Sequence, residues 1–193
     1  VRSETYAVKI YNTENKDISI PRIYLEGGAA SPYRINVDGK HYTFFHEKKI
    51  EHLNWKKLDV SIVIEATGKF KTTSEANLHL TAGAKKVILS APPEDDLIKT
   101  VVLGVNEHII DGSETIISNA SCTTNNAAPM IKVINELCGI EQAYITTVHS
   151  YTTDQSLHDQ PHKDLRRARG ASQSIVPTTT GAAKALTKIF PEM

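Results

Sequence analysis

Residues 58–68 read LDVSIVIEATG, an apolar, β-branched run that ends in Gly68. Such a run predicts a strand buried on both faces of a parallel sheet. TTSEANLHLTAGAKK follows, with Thr72, Thr73 or Ser74 as a candidate N-cap and Gly83 as the stop signal, so a helix is expected here. KKVILSAPP then supplies a second short buried strand closed by two prolines, and VVLGVN and TIISNAS read as two more. Strand–helix–strand alternation of this kind dictates an open α/β sheet.

Residues 1–55 say less. YAVKIYN and HYTFF suggest short strands, with turns at EGGAASP and VDGK. Downstream, Met130, Val133, Ile134 and Leu137 recur at helical spacing within 122–138, and Gly139 ends that helix. QAYITTVHS reads as a strand and 150–174 as a long polar loop, a length that inside compact domains signals function or disorder. TTTGAAKALTKIF opens a last helix, and the stop at PEM suggests a piece of something larger.

Composition excludes several classes. The 193 residues carry 22 basic and 22 acidic side chains, so nucleic acid is not expected as the main partner despite the basic string KDLRRARG at 163–170. No stretch approaches the ~18–20 apolar residues of a membrane span, and no signal-peptide pattern is present. The two cysteines cannot build a disulfide framework. Cys122 and Cys138 sit on one expected helix about 24 Å apart, too far to bridge. A cytoplasmic setting follows from these features.

The chemistry concentrates in SNASCTTNNAAP, residues 118–129. A cysteine in the first turn of a helix lies beside unpaired backbone N–H groups, which favour thiolate over thiol. Such a thiolate attacks carbonyls, and the same N–H groups hold the oxyanion. A small buried hydrophobe is the competing reading of Cys122; for Cys138, beside the apolar stripe, packing is the better one. His149 closes QAYITTVHS, where it could serve the cysteine as a base. His158 and His162 stand four apart, but Pro161 between them breaks the helix a metal pair needs, so no metal is assigned. Ser121, Thr123, Thr152 and Thr179–Thr180–Gly181 offer neutral donors suited to phosphate. No G-x-G-x-x-G occurs, although ATG (66–68) and SAP (90–92) place small residues at strand ends, where such sheets bind ligands.

SNASCTTN, VHSYTTDQ, PHKDLRRAR and SIVPTTTGAAKALTKIFPE, in this order and spacing, resemble phosphorylating glyceraldehyde-3-phosphate dehydrogenase. The resemblance covers 55–193 closely and 1–50 poorly, though INVDGKHYTFF is similar to a β-hairpin late in that family's cofactor domain. It implies part of a Rossmann-like NAD-binding domain over 1–121 and the start of an α+β catalytic domain over 122–193. Cys122 would form a thiohemiacetal with glyceraldehyde 3-phosphate, with His149 as the base. After hydride transfer to NAD, inorganic phosphate would release the thioester as 1,3-bisphosphoglycerate. Ser121, Thr123, Thr180 and Gly181 would bind the attacking phosphate, and Thr152 with Asp154 the substrate's own. Thr67, Gly68 and Ser90 would line the NAD site, and 150–174 would reach a neighbouring subunit's cofactor in a homotetramer. Pro161 matches NAD-preferring members, whereas Gln160 replaces their usual leucine.

The chain departs from the family's pattern in three ways. The glycine-rich turn and the ribose-binding acid are missing. So is the second half of the catalytic domain, with its phosphate-binding arginine and nicotinamide-orienting asparagine. Asn126 stands where members commonly carry a second cysteine. The segment alone is therefore expected to be inactive as a dehydrogenase. Two other readings stand beside the lead: an erythrose-4-phosphate dehydrogenase, and a non-catalytic remnant acting as an interaction module.

Overall fold

A computed structural model describes residues 23–26, 33–37, 40–45 and 47–192. The strand expected at YAVKIYN lies outside the described residues, as do most of EGGAASP and the centre of VDGK. Strands β1 (Ile23–Glu26), β2 (Tyr33–Val37) and β3 (Lys40–Phe44) form an antiparallel meander. β2 and β3 pair as a tight hairpin, Val37 opposite Lys40, as INVDGKHYTFF leads one to expect.

The second sheet is parallel and carries the site. Its strands β4 (Ile62–Glu65), β5 (Lys86–Leu89), β6 (Lys99–Thr100) and β7 (Ile116–Ser118) lie in the order β4-β5-β7-β6. Helix α1 (Thr73–Thr81) connects β4 to β5. Thr72 is its N-cap: the hydroxyl accepts from Glu75 N–H, and the Glu75 carboxylate accepts from Thr72 N–H at 3.0 Å, a reciprocal capping box. Gly83 follows with φ +109°, and a Cβ there would come within 2.8 Å of the Lys56 backbone. Only glycine fits both the conformation and the space.

Three strand expectations need correction. β4 is not buried on both faces: Val63 and Glu65 point inward, while Ile62 and Ile64 are exposed, because the other face of the strand is left uncovered among the described residues. VVLGVN is not a strand. Pairing stops at Thr100, and the segment turns so that Val102 and Val105 enter the core. Buried Asn106 holds that turn, accepting from Val102 N–H at 2.8 Å and donating to Thr100 O at 3.0 Å. QAYITTVHS forms no ladder among the described residues, and Tyr144 and Val148 stand in solvent.

Helix α2 (Cys122–Cys138) has Ser121 as N-cap and Gly139, φ 72°, at its end. Its buried face is Thr124, Ala127 and Ala128; the Met130, Val133, Ile134 and Leu137 stripe is at least half exposed. The helical period was right, but no described element covers the stripe. Cys138 is likewise exposed rather than packed, its thiol donating to Ile134 O at 3.3 Å. Helix α3 (Ala182–Ile189) packs Leu186 and Ile189 against Ala127, Ala128, Val102 and Val105, a core that runs across residue 121. A second core joins α1 to the sheet through Ala76, Val87, Leu89 and Ile98. No helix among the described residues is long and apolar enough to cross a membrane.

Candidate functional site

Parallel pairing brings the carboxyl ends of β4, β5 and β7 to one edge of the sheet, the edge at which open α/β sheets bind ligands. The turn from β7 into α2 lies there. Ala120 takes a left-handed φ of 57° while almost wholly buried, a conformation that disfavours larger side chains. The turn is braced on every side. Ser118 Oγ donates to Ala91 O at 2.8 Å and accepts from Ala120 N–H at 3.0 Å. Asn119 Nδ2 donates to Val101 O at 3.0 Å, and Asn125 Nδ2 to Asn119 O at 2.6 Å. The result presents Cys122, exposed, at the first position of α2.

His149 comes to it across the fold. Its Nε2 lies 3.2 Å from Cys122 Sγ, and its Nδ1 donates to Ser150 O at 2.6 Å. The second contact puts a proton on Nδ1, so the nitrogen facing sulfur accepts from a thiol or, when protonated, donates to a thiolate. The His149 hydrogen bond holds the Cys122 thiol below its ordinary range, assisted by the Thr123 amide and hydroxyl and opposed by partial burial. The Ser150 carbonyl, and then the sulfur, raise the His149 value. Opposite shifts on touching groups favour the thiolate–imidazolium form.

The remaining predicted residues divide. Thr67 and Gly68 form an exposed turn just beyond β4, with Gly68 at φ 72°, and Ser90 N–H donates to Glu65 O at 3.0 Å beside it. The Ser121 hydroxyl is committed to the helix cap, accepting from Thr124 N–H at 3.1 Å and contacting Thr124 Oγ1 at 2.8 Å. Thr180 Oγ1 accepts from Ala182 N–H at 3.2 Å, and Gly181 is the N-cap of α3. Thr152 bonds locally to Gln155, its N–H donating at 2.6 Å.

Asp154 is paired with Arg167, which sequence reasoning missed. Arg167 also donates to Thr178 Oγ1 at 3.1 Å and Thr179 O at 3.2 Å, tying the long loop to the segment before α3. Its signal was the basic string KDLRRARG, whose charges differ in use: Arg166 is exposed, whereas Arg167 turns inward to Asp154. No group of three or more His, Cys, Asp or Glu that could hold a metal occurs among the described residues.

Comparison with known proteins then decides the lineage. The model of the glyceraldehyde 3-phosphate dehydrogenase NAD binding domain matches residues 15–73, and that of the C-terminal domain of the same enzyme matches 121–193. Together they take in more than half of the chain. The chain belongs to the glyceraldehyde-3-phosphate dehydrogenase family. Its match reaches back to residue 15, further than the poor resemblance over 1–50 suggested. A relative named glyceraldehyde-3-phosphate dehydrogenase 2 from Bacillus subtilis is 52% identical over 158 residues, 81% of this chain and 46% of its own. The glyceraldehyde-3-phosphate dehydrogenase of Thermotoga maritima is 56% identical over 150 residues, 78% of this chain and 45% of its own. That of Clostridium pasteurianum is 50% identical over 159 residues, 81% and 47%. The chain spans about half the length of these relatives.

Proposed function

We propose that this segment carries the nucleophile, its base and part of the dinucleotide site of an NAD-dependent, phosphorylating glyceraldehyde-3-phosphate dehydrogenase. The observation that carries the reading is the 3.2 Å contact between Cys122 Sγ at a helix start and His149 Nε2. The division into a partial NAD-binding domain over 1–121 and a partial catalytic domain over 122–193 is part of the proposal, as are the cytoplasmic setting and a homotetramer of the complete enzyme.

Thr67, Gly68 and Ser90 fit a dinucleotide: they stand at adjacent strand ends, and the turn leaves open space over Gly68, where no atom lies within 4 Å of an added Cβ. When bound, NAD supplies the hydride acceptor. The chain's own part begins with the Cys122 thiolate attacking the aldehyde carbon of glyceraldehyde 3-phosphate. The carbonyl oxygen takes the charge, within reach of the α2 N-terminal amides and protonated His149. His149 gives its proton to that oxygen, then takes one back as the carbon is oxidised to the thioester. Inorganic phosphate attacks the thioester carbon, the C–S bond breaks, and the thiolate leaves while 1,3-bisphosphoglycerate departs.

Thr123, Thr180 and Gly181 are the proposed contacts of the attacking phosphate. Ser121 joins them only through its peptide or by giving up its contact with Thr124. Thr152 and Asp154 are proposed near the substrate phosphate; an aspartate repels that group unless neutralised, and Arg167 does so.

Turnover tests the reading. A chimera with residues 55–193 in place of the matching segment of the Bacillus subtilis relative should form NADH from glyceraldehyde 3-phosphate, in a phosphate-dependent manner. Cys122→Ser should abolish this and leave NAD affinity nearly intact. The 193-residue chain alone should form none. A chimera that prefers erythrose 4-phosphate, with water taking the acyl group, would assign the other dehydrogenase instead.

A further inference from the structure

The mechanism above does not use the most buried titratable pair among the described residues. Glu65 and His79 are each about 95% buried, with Glu65 Oε2 3.0 Å from His79 Nε2. The pair lies on the wall of a cavity of about 650 Å³ lined also by Trp55, Thr67 and Phe70. Its hydrogen bonds run in one direction. The indole N–H of Trp55 points at His79 Nδ1 at 3.1 Å. An indole nitrogen only donates, so Nδ1 keeps its lone pair and the neutral ring carries its proton on Nε2, facing Glu65. Glu65 Oε1 then accepts twice from one residue, from Thr67 N–H at 2.8 Å and from the Thr67 hydroxyl. Burial pushes the Glu65 carboxyl up, but the hydrogen bonds from His79 and Thr67 outweigh it and leave it below the usual range. One buried carboxylate thus collects three donors, and its far end is the turn that holds Thr67 and Gly68.

We propose that Trp55, His79 and Glu65 are positioning residues for the cofactor turn, fixing Thr67 so that its hydroxyl meets a bound dinucleotide only as a hydrogen-bond acceptor. The inference rests on the NAD reading above and deepens it. The Thr67 proton is committed to Glu65, and one lone pair of Oγ1 accepts from Lys69 N–H at 3.2 Å. A single lone pair of this exposed residue remains. It suits a donor on the cofactor, a ribose hydroxyl or an exocyclic amine, and it is the wrong partner for a phosphate oxygen.

Trp55 is the sole tryptophan of the chain, so its indole N–H is one resolvable NMR signal. Glu65→Gln keeps the shape but cannot accept from all three donors. It should shift the indole signal, speed exchange of the Thr67 amide by about tenfold and weaken NAD binding by about tenfold, while amides of α1 and β5 keep their protection. Thr67→Val should weaken NAD binding by a similar factor and, by taking one donor from the buried Glu65 carboxylate, lower the melting temperature, whereas Thr67→Ser should do neither. Titration with NAD of the Bacillus subtilis chimera carrying residues 55–193, and of its Glu65→Gln and Thr67→Val variants, reads the affinities. If Glu65→Gln leaves Thr67 exchange unchanged, or if the chimera binds NAD and its Glu65→Gln and Thr67→Val variants bind equally well, the positioning role is overturned. If the chimera binds no NAD, the cofactor reading falls, and the proposal with it.

Discussion

Cys122 and His149 are 27 positions apart, and neither alone defines a site. Their pH behaviour follows from the directions of their shifts. The lowered thiol value means that the thiolate is lost only as pH falls through it; the raised imidazole value means that the imidazolium is lost as pH rises through it. Any stability the ion pair adds is present only where thiolate and imidazolium coexist; it is lost as pH falls through the first value or rises through the second. Alkylation of Cys122 by iodoacetamide should therefore have a midpoint below the ~8.5 of an ordinary thiol. His149→Asn should move that midpoint up, and at neutral pH Cys122 should be labelled faster than Cys138 on the same helix. Equal labelling of two exposed cysteines would contradict an activated thiol. In the chimera, His149→Asn should lower turnover by roughly 10²–10⁴-fold, the usual scale for lost acid–base assistance.

The elements that place these side chains rest on local chemistry with measurable consequences. Thr72→Ala removes the hydroxyl that caps α1 and should cost about 1 kcal/mol in a urea titration. Gly83→Ala should cost more, roughly 2–4 kcal/mol, since it strains a left-handed backbone and drives a methyl into Lys56. If Gly83→Ala cost less than Thr72→Ala, the account of that close approach would be wrong. Such caps and stops were legible in the sequence because they depend on residues within a turn of one another. β4, β5, β7, α1, α2 and α3 all follow from periods, caps and β-branched runs. What covers each face was not legible. The Met130–Leu137 stripe and the outer face of β4 have the pattern of buried surface, but a pattern reports a preference for burial, not a partner. VVLGVN has strand composition too, yet the Asn106 side chain replaces the ladder. Arg167 with Asp154, and Glu65 with His79, are contacts across 13 and 14 residues that no spacing rule names.

At the scale of the whole molecule, the sheet gathers three strand ends at one edge and leaves apolar surface elsewhere. Met130, Val133, Ile134 and Leu137 along α2, with Tyr144 and Val148 beyond it, remain exposed in the chain as it stands. Surface of this kind promotes association. Val133→Lys combined with Leu137→Glu should lower the sedimentation-average mass of the purified chain at a given concentration, with stability changed by no more than about 0.5 kcal/mol. A marked loss of stability would mean that the stripe is packed rather than open. The proposed catalytic residues were legible as motifs because they sit within short strings; the approach of His149 to Cys122 required the fold. The central claim is that Cys122 takes the aldehyde and holds it as a thioester. Mass spectrometry of the chimera, quenched after mixing with glyceraldehyde 3-phosphate and NAD in the absence of phosphate, tests it most directly. One acyl adduct per chain on the peptide containing Cys122, discharged when phosphate is added, is the predicted result; NADH formation with no adduct at Cys122, or with the adduct elsewhere, would contradict it.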